Sequence, residues 1–252
     1  MFKTDLLKKI ESMNNGLAIL VDPDKFVGLE KKEEWIRKIN FLKPDFLFIG
    51  GSVVAKNDFD KCIEFLHAKV DIPLIIFPGN YDQIHPSAQG LLFLSLLSGQ
   101  NPEYLITQHV KAVDYLEGLD IEILPTAYLL IDGGIQTAVA YVSQTQPIPQ
   151  YGKSIAAKIS LAGKYQGKKL IYLDAGSGAK SSVPLEMIIE VKKVGLPLIV
   201  GGGIKTIDDI KKNHSAGANI VVIGNKIEED MDFLMDLAEY RSAHAITTAP
   251  LN

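Results

Sequence analysis

Short apolar runs recur along the chain at residues 17–21, 46–49, 74–77, 91–97, 124–131, 170–173, 196–200 and 220–223. Within each run hydrophobicity is nearly continuous rather than alternating. That is the pattern of parallel strands covered on both faces. Between the runs, apolar residues return at helical spacing over 31–42, 59–68, 103–116, 154–165, 185–194, 207–216 and 231–240. The first of these segments carries Trp35, Ile36, Ile39 and Leu42 on one stripe, which makes Trp35 a core residue. Asn101-Pro102-Glu103 and Thr206-Ile207-Asp208-Asp209 supply good helix starts.

Eight strand–helix units predict a (β/α)8 TIM barrel, with an open doubly wound sheet as the alternative. The third unit is irregular. Residues 79–89, with Gly79, Asn80, His85 and Pro86, are too short and broken for a helix, so a loop or extended segment is expected there. No linker, low-complexity block or composition shift divides the chain, which reads as a single barrel domain over 1–252. The tail 247–250 reads as frayed.

Composition narrows the classes. Hydrophobic residues make up 47% of the chain, enough for a sizeable core, and the net charge of −4 argues against a nucleic-acid partner. The single cysteine, Cys62, excludes an internal disulfide and sits on an amphipathic segment as a buried thiol. The start of the chain is charged and lacks the apolar core and cleavage site of a signal peptide. No run is long enough to span a bilayer. A cytoplasmic protein is expected.

Barrel enzymes build their sites from the C-terminal ends of the strands. Three successive runs end in glycine there: Tyr172-Leu173-Asp174-Ala175-Gly176-Ser177-Gly178-Ala179, then Gly201-Gly202-Gly203-Ile204-Lys205, then Gly224-Asn225. Glycine lets backbone N–H groups approach an anion closely, and the helix start at Thr206 adds amides that favour phosphate. A phosphate cradle is the reading, against tight turns alone. On the opposite side, Asp22-Pro23-Asp24-Lys25 offers two acids beside a base, suited to magnesium and a diphosphate; a helix-capping turn explains it as well. Ser52, after Gly50-Gly51, could ligate a metal or cap a helix. His85 and His109 read as satisfied or surface histidines. Asp132-Gly133-Gly134 either faces the site or makes a turn, and residues 126–130 either line an apolar groove or pack in the core.

Taken together, Leu20-Val21-Asp22-Pro23-Asp24-Lys25, Phe48-Ile49-Gly50-Gly51-Ser52, the 172–179 block, Gly201-Gly202-Gly203-Ile204 and Gly224-Asn225 resemble the geranylgeranylglyceryl phosphate synthase family, which includes the bacterial heptaprenylglyceryl phosphate synthases. The resemblance implies a modified TIM barrel whose third helix is replaced. It implies a prenyltransferase that joins sn-glycerol 1-phosphate to a polyprenyl diphosphate, with geranylgeranyl diphosphate the expected donor, and releases pyrophosphate. Magnesium on Asp22 and Ser52 follows from the same likeness. So does glycerol phosphate held by Tyr172, Leu173, Asp174, Ala175, Gly176, Ser177, Gly178, Gly202, Gly203, Gly224 and Asn225. Asp174 is then the expected general base. The likeness further implies a dimer or hexamer of the same chain, and transient membrane contact to release a lipid product. Two departures stand out: Asp174 occupies a place often held by Glu, and Leu20 replaces a lysine of the other family branch. That leaves Lys25 or Lys205 to balance phosphate charge. The rivals are another phosphate-binding barrel enzyme, either an isomerase using Asp22 with Asp132 or a flavin oxidoreductase, and a non-catalytic binder of a phosphorylated metabolite.

Overall fold

The computed structural model describes residues 5–247; positions 1–4 and 248–250 of the two ends discussed above lie outside the described residues. In chain order the elements are α1 Leu6–Ser12, β1 Gly16–Val21, α2 Pro23–Val27, α3 Lys32–Leu42, β2 Phe46–Ile49, α4 Lys56–Lys69, β3 Leu74–Ile76, β4 Gly90–Leu96, a 3-10 turn Pro102–Tyr104, α5 Thr107–Leu116 and β5 Glu122–Leu130. They continue as α6 Ala138–Ser143, α7 Lys153–Tyr165, β6 Leu170–Asp174, α8 Leu185–Lys192, β7 Leu198–Gly201, α9 Ile207–Ala216, β8 Ile220–Ile223, α10 Asn225–Glu229 and α11 Phe233–Thr247. The strands are all parallel and close in sequence order, β8 pairing back onto β1 with Gly16 opposite Ile220. Each of the eight apolar runs is a barrel strand, shifted by no more than two residues at either end.

The continuous hydrophobicity follows from the pleat. Phe46, Phe48, Ile75, Leu92, Tyr172, Ile199 and Val222 point into the barrel and pack on one another. Their neighbours Leu47, Ile49, Ile76, Leu173, Val200 and Ile223 point outward and meet the helices. Trp35 and Cys62 belong to that outer layer, and burial pushes the Cys62 thiol up to about 12. The floor of the barrel is plugged by α1, a helix not singled out from the sequence. Its Leu6 and Ile10 are fully buried in the inner layer. The Glu122 carboxylate pins its first turn, accepting the Leu6 N–H at 2.6 Å and the Leu7 N–H at 2.9 Å. Arg241 on α11 forks onto Asp45 at 3.0 and 3.2 Å, and Asp45 also accepts the Leu17 N–H, which ties the last helix to the first strands.

No helix separates β3 from β4 among the described residues; residues 77–89 cross as a loop, as the broken pattern predicts. Besides α1, three short helices were not legible: α2, α6 and α10. The segment 103–116 is not one helix, because Ile106 at φ −140° breaks it into the 3-10 turn and α5.

Candidate active site

The C-terminal mouth of the barrel holds a cavity of about 320 Å³ with a polar end and an apolar arm. Strand ends β6, β7 and β8 build the polar end. Gly202, at φ 82°, lies so close to the β6 loop that a Cβ there would stand 2.6 Å from the Gly176 nitrogen and 2.8 Å from Asp174 Oδ1. Across the same mouth, Asn225 Oδ1 accepts the Gly178 N–H at 2.9 Å and the Ser177 hydroxyl at 3.2 Å. Ser177, Gly202 and Asn225 thus converge on one space, the arrangement a shared anion requires. The N–H groups of Ser177, Gly202, Gly203 and Gly224 donate to no protein acceptor among the described residues, which leaves them free for such an anion. Lys205 lines this end and makes no ion pair with a described residue; Lys226 also lines it but is held by Asp230 at 2.9 Å.

Two of the expected phosphate residues go elsewhere. Leu173 and Ala175 face the helix layer, because they lie on the opposite side of the pleat from Tyr172 and Asp174. The Ala175 N–H is spent on the Gly201 carbonyl. The start of α9 is also closed: Asp209 accepts the Lys205 and Thr206 amides, and Thr206 caps Asp209 in return, so this helix start serves itself rather than a phosphate.

Asp174 lies at the base of the polar end, buried. Its Oδ2 accepts the Tyr128 hydroxyl at 2.7 Å and its Oδ1 the Gly176 N–H at 2.8 Å. Burial raises its carboxyl above the ordinary range, against the pull of those two bonds. It is a carboxylate whose basicity is increased while lone pairs on both oxygens remain open. Tyr128, missed from the sequence, is where the 126–130 stretch meets the cavity; Leu129 and Leu130 are core.

Asp22, the residue after β1, lines the same cavity as Asp174. It caps α2, its Oδ1 accepting the Asp24 N–H at 3.2 Å, while its carboxylate also lines the cavity. The capping reading holds, and Asp22 also lines the cavity where the site reading needs it. Burial raises its carboxyl, Lys25 opposing. Asp24 does not join it; its Oδ1 turns away to the Ala55 N–H at 3.2 Å. Ser52 lines the cavity with a hydroxyl that has no protein partner among the described residues. Gly51 beside it abuts the Asp22 carboxyl, where a Cβ would lie 3.8 Å away. No group of three or more His, Cys, Asp or Glu side chains among the described residues could hold a metal alone. One carboxylate and one hydroxyl suit magnesium when phosphate oxygens complete its shell. Lys25 Nζ lies 3.8 Å from Asp22 and 2.6 Å from Glu228, and does not line the cavity.

The apolar arm runs out through the gap left by the missing helix. Leu94 and Leu96 from the inner face of β4 and Leu91 and Phe93 from its outer face line the same cavity, together with Phe77, Tyr81 and Ala112. Only a cavity that passes over the barrel wall touches both faces of a strand. His109 lines this arm, its ring edge-on to Phe93 at 4.6 Å and its Nε2 3.2 Å from the Ser95 hydroxyl. His85 lies 3.5 Å from Glu64, and both histidines are satisfied as expected. Asp132 is exposed, accepts the Gly134 N–H at 2.8 Å and does not reach the cavity. The pairing of Asp22 with Asp132 that an isomerase would use is therefore absent.

The chain is similar to known proteins over most of its length. The family model described as the PcrB family matches residues 11–241. A geranylgeranylglyceryl phosphate synthase of Flavobacterium johnsoniae is 46% identical over 228 residues, which cover 89% of this chain and 93% of that protein. One from Pyrococcus furiosus is 36% identical over 212 residues, 83% of each chain. Among solved structures, the (S)-3-O-geranylgeranylglyceryl phosphate synthase of Thermoplasma acidophilum, in complex with its substrate sn-glycerol-1-phosphate, superposes with a TM-score of 0.83 at 32% identity, covering 94% of this chain and 96% of that one.

Proposed function

The chain belongs to the PcrB family, and on that premise we propose that it is a prenyltransferase joining sn-glycerol 1-phosphate to a polyprenyl diphosphate, forming a prenylglyceryl phosphate and pyrophosphate. The observation that carries the reading is one cavity in which an anion cradle, a basic carboxylate and an apolar arm meet. Glycerol phosphate belongs in the cradle, its phosphate on the free amides at Ser177, Gly202, Gly203 and Gly224 with Lys205 as counter-charge. The prenyl tail belongs in the arm, where each buried CH₂ contributes about 0.8 kcal/mol.

The reaction then needs a free glycerol hydroxyl beside the allylic carbon. The hydroxyl oxygen forms the new C–O bond as the bond to diphosphate breaks, and Asp174 takes the hydroxyl proton. Tyr128 and Gly176 hold that carboxylate in one orientation. Asp22 and Ser52 are the residues to hold magnesium against the diphosphate, where it would neutralise charge building on the leaving group. Fixing both substrates in one cavity supplies further acceleration.

No helix among the described residues is long and apolar enough to cross a membrane. The same reading makes the protein cytoplasmic, assembled with copies of itself as a dimer or hexamer, and in contact with a membrane only while the lipid product leaves. Incubation with sn-glycerol 1-phosphate, magnesium and prenyl diphosphates of several lengths, followed by mass spectrometry, tests the proposal. Prenylglyceryl phosphate with stoichiometric pyrophosphate is expected. Glycerol phosphate binding without pyrophosphate release would replace it with a binding protein, and a yellow flavin-containing protein would replace it with an oxidoreductase.

A further inference from the structure

Glu228 is an acid in a cavity shaped for two anionic substrates, and neither the cradle nor the base needs it. Its position gives it a task. The single oxygen Oε2 accepts Lys25 Nζ at 2.6 Å and Asn225 Nδ2 at 3.1 Å. Asn225 cannot rotate freely, because its Oδ1 is fixed by the Gly178 N–H and the Ser177 hydroxyl; its amide nitrogen therefore faces Glu228. Glu228 is thus anchored from the phosphate side of the mouth and holds the lysine on the other side. That lysine has a second carboxylate within reach, Asp22 Oδ2, at 3.8 Å. The two acids compete for one ammonium group, and the anchored one has the closer contact.

We infer that Glu228 is a positioning residue that holds Lys25 off Asp22 and so keeps the Asp22 carboxylate open to a metal ion. Without Glu228 the one acid left within 4 Å of the ammonium group among the described residues is Asp22. A short side-chain rotation would close the 3.8 Å gap and place a fixed positive charge where the cation must bind. Lys25 is about half exposed, so its side chain has solvent beside it to turn through. The inference rests on the assignment of Asp22 to the metal, and the test separates the two.

The probe is Mn²⁺ with saturating inorganic pyrophosphate, whose oxygens complete the metal shell; binding of the pair to the purified protein is followed by water proton relaxation with no prenyl donor or glycerol phosphate present. Asp22→Asn should abolish the bound fraction; unchanged binding there removes the metal assignment itself. Glu228→Gln, which keeps the shape and an acceptor for Asn225, should weaken Mn²⁺ binding roughly threefold to fivefold, the range of a half-exposed ion pair. The deciding measurement is the same change made in a Lys25→Met background. If Glu228 acts by restraining the lysine, Glu228→Gln has no effect once the lysine is gone. If the loss persists undiminished in Lys25→Met, Glu228 acts only as a nearby negative charge, and the positioning role is overturned. It is equally overturned if Glu228→Gln binds Mn²⁺ as well as the parent while Asp22→Asn does not bind it.

Discussion

Tyr128 donates its hydroxyl to Asp174 Oδ2 at 2.7 Å, between neighbouring strands at the floor of the cavity. Both side chains are buried, and burial pushes the tyrosine well above its ordinary range, so it stays a donor throughout the neutral range. The bond therefore always favours the ionised form of Asp174, while burial favours the neutral one. The balance between them sets how strong a base the site contains.

Replacing Tyr128 with Phe removes the larger of the two contributions that lower the Asp174 value, leaving the Gly176 N–H and the burial that raises it. The acid limb of the kcat/KM profile should move to higher pH, with the plateau reduced by roughly tenfold or less. Asp22 is also raised by burial but does not touch Tyr128. A limb that stays in place in Tyr128→Phe therefore assigns it to Asp22 or another group.

Asp174→Asn should lower kcat by about 10²–10⁴, the contribution of a positioned base, with little change in glycerol phosphate affinity. Stability should respond in the opposite direction. The folded-state value of Asp174 lies above its unfolded value of 3.8. Its contribution to stability is therefore present below the unfolded value and lost as pH rises through the folded one. At pH 7 the buried carboxylate is a cost, and the amide removes it. Thermal melts at pH 7 should place Asp174→Asn at or above the parent, and a clear drop would show that the carboxylate is structural.

Much of this was legible from residue pattern. Burial on both faces leaves a strong signal, so the eight strands were read directly, and the broken stretch 79–89 marked the missing helix. The glycines at 176, 178, 202, 203 and 224 pointed to a cradle, and at Gly202 and Gly203 a Cβ would stand within 2.8 Å of the facing backbone, where only glycine fits. Short elements were not legible: α2, α6 and α10 have at most six residues each, less than two turns, too few for a periodic stripe. The partnership of Tyr128 with Asp174 depends on register between strands 46 residues apart, which no local spacing encodes. Glu228 lies three residues after Asn225, a helical neighbour, but the helix that makes them neighbours was one of those missed. Leu173 and Ala175 entered the site as members of a contiguous motif, although strand alternation turns them outward.

Gly202→Ala tests the cradle. The new methyl group would meet the Gly176 nitrogen at 2.6 Å, and the φ of 82° is itself unfavourable for alanine. Because the contacts are backbone atoms, the two loops must separate. A stability loss of about 1–3 kcal/mol is expected in chemical denaturation. Glycerol phosphate affinity measured by calorimetry should fall by at least roughly tenfold, equivalent to 1.4 kcal/mol. Native affinity in a destabilised protein would place the phosphate elsewhere.

Ser177→Asp puts a carboxylate at the same rim. Like charges brought together cost several kcal/mol, so the dissociation constant for sn-glycerol 1-phosphate should rise on the order of 100-fold. Ser177→Ala, losing only one hydrogen bond, should cost about 1 kcal/mol. Equal effects from the two variants would mean that no anion approaches Ser177.

Ala112 lies where the apolar arm passes outside β4, beside His109 and Phe93. Its small side chain leaves width in the arm, and Ala112→Phe should remove it. A long prenyl chain would then lose the burial of its last units, while a short chain that ends before Ala112 would lose nothing. With several CH₂ groups at about 0.8 kcal/mol each, the loss for long donors should reach roughly 10–100-fold in kcat/KM. Competition between donors of different lengths, read by mass spectrometry of the products, should shift toward the shorter ones while glycerol phosphate affinity stays constant. An unchanged product profile would mean that the tail leaves the barrel by a path other than the gap between β3 and β4.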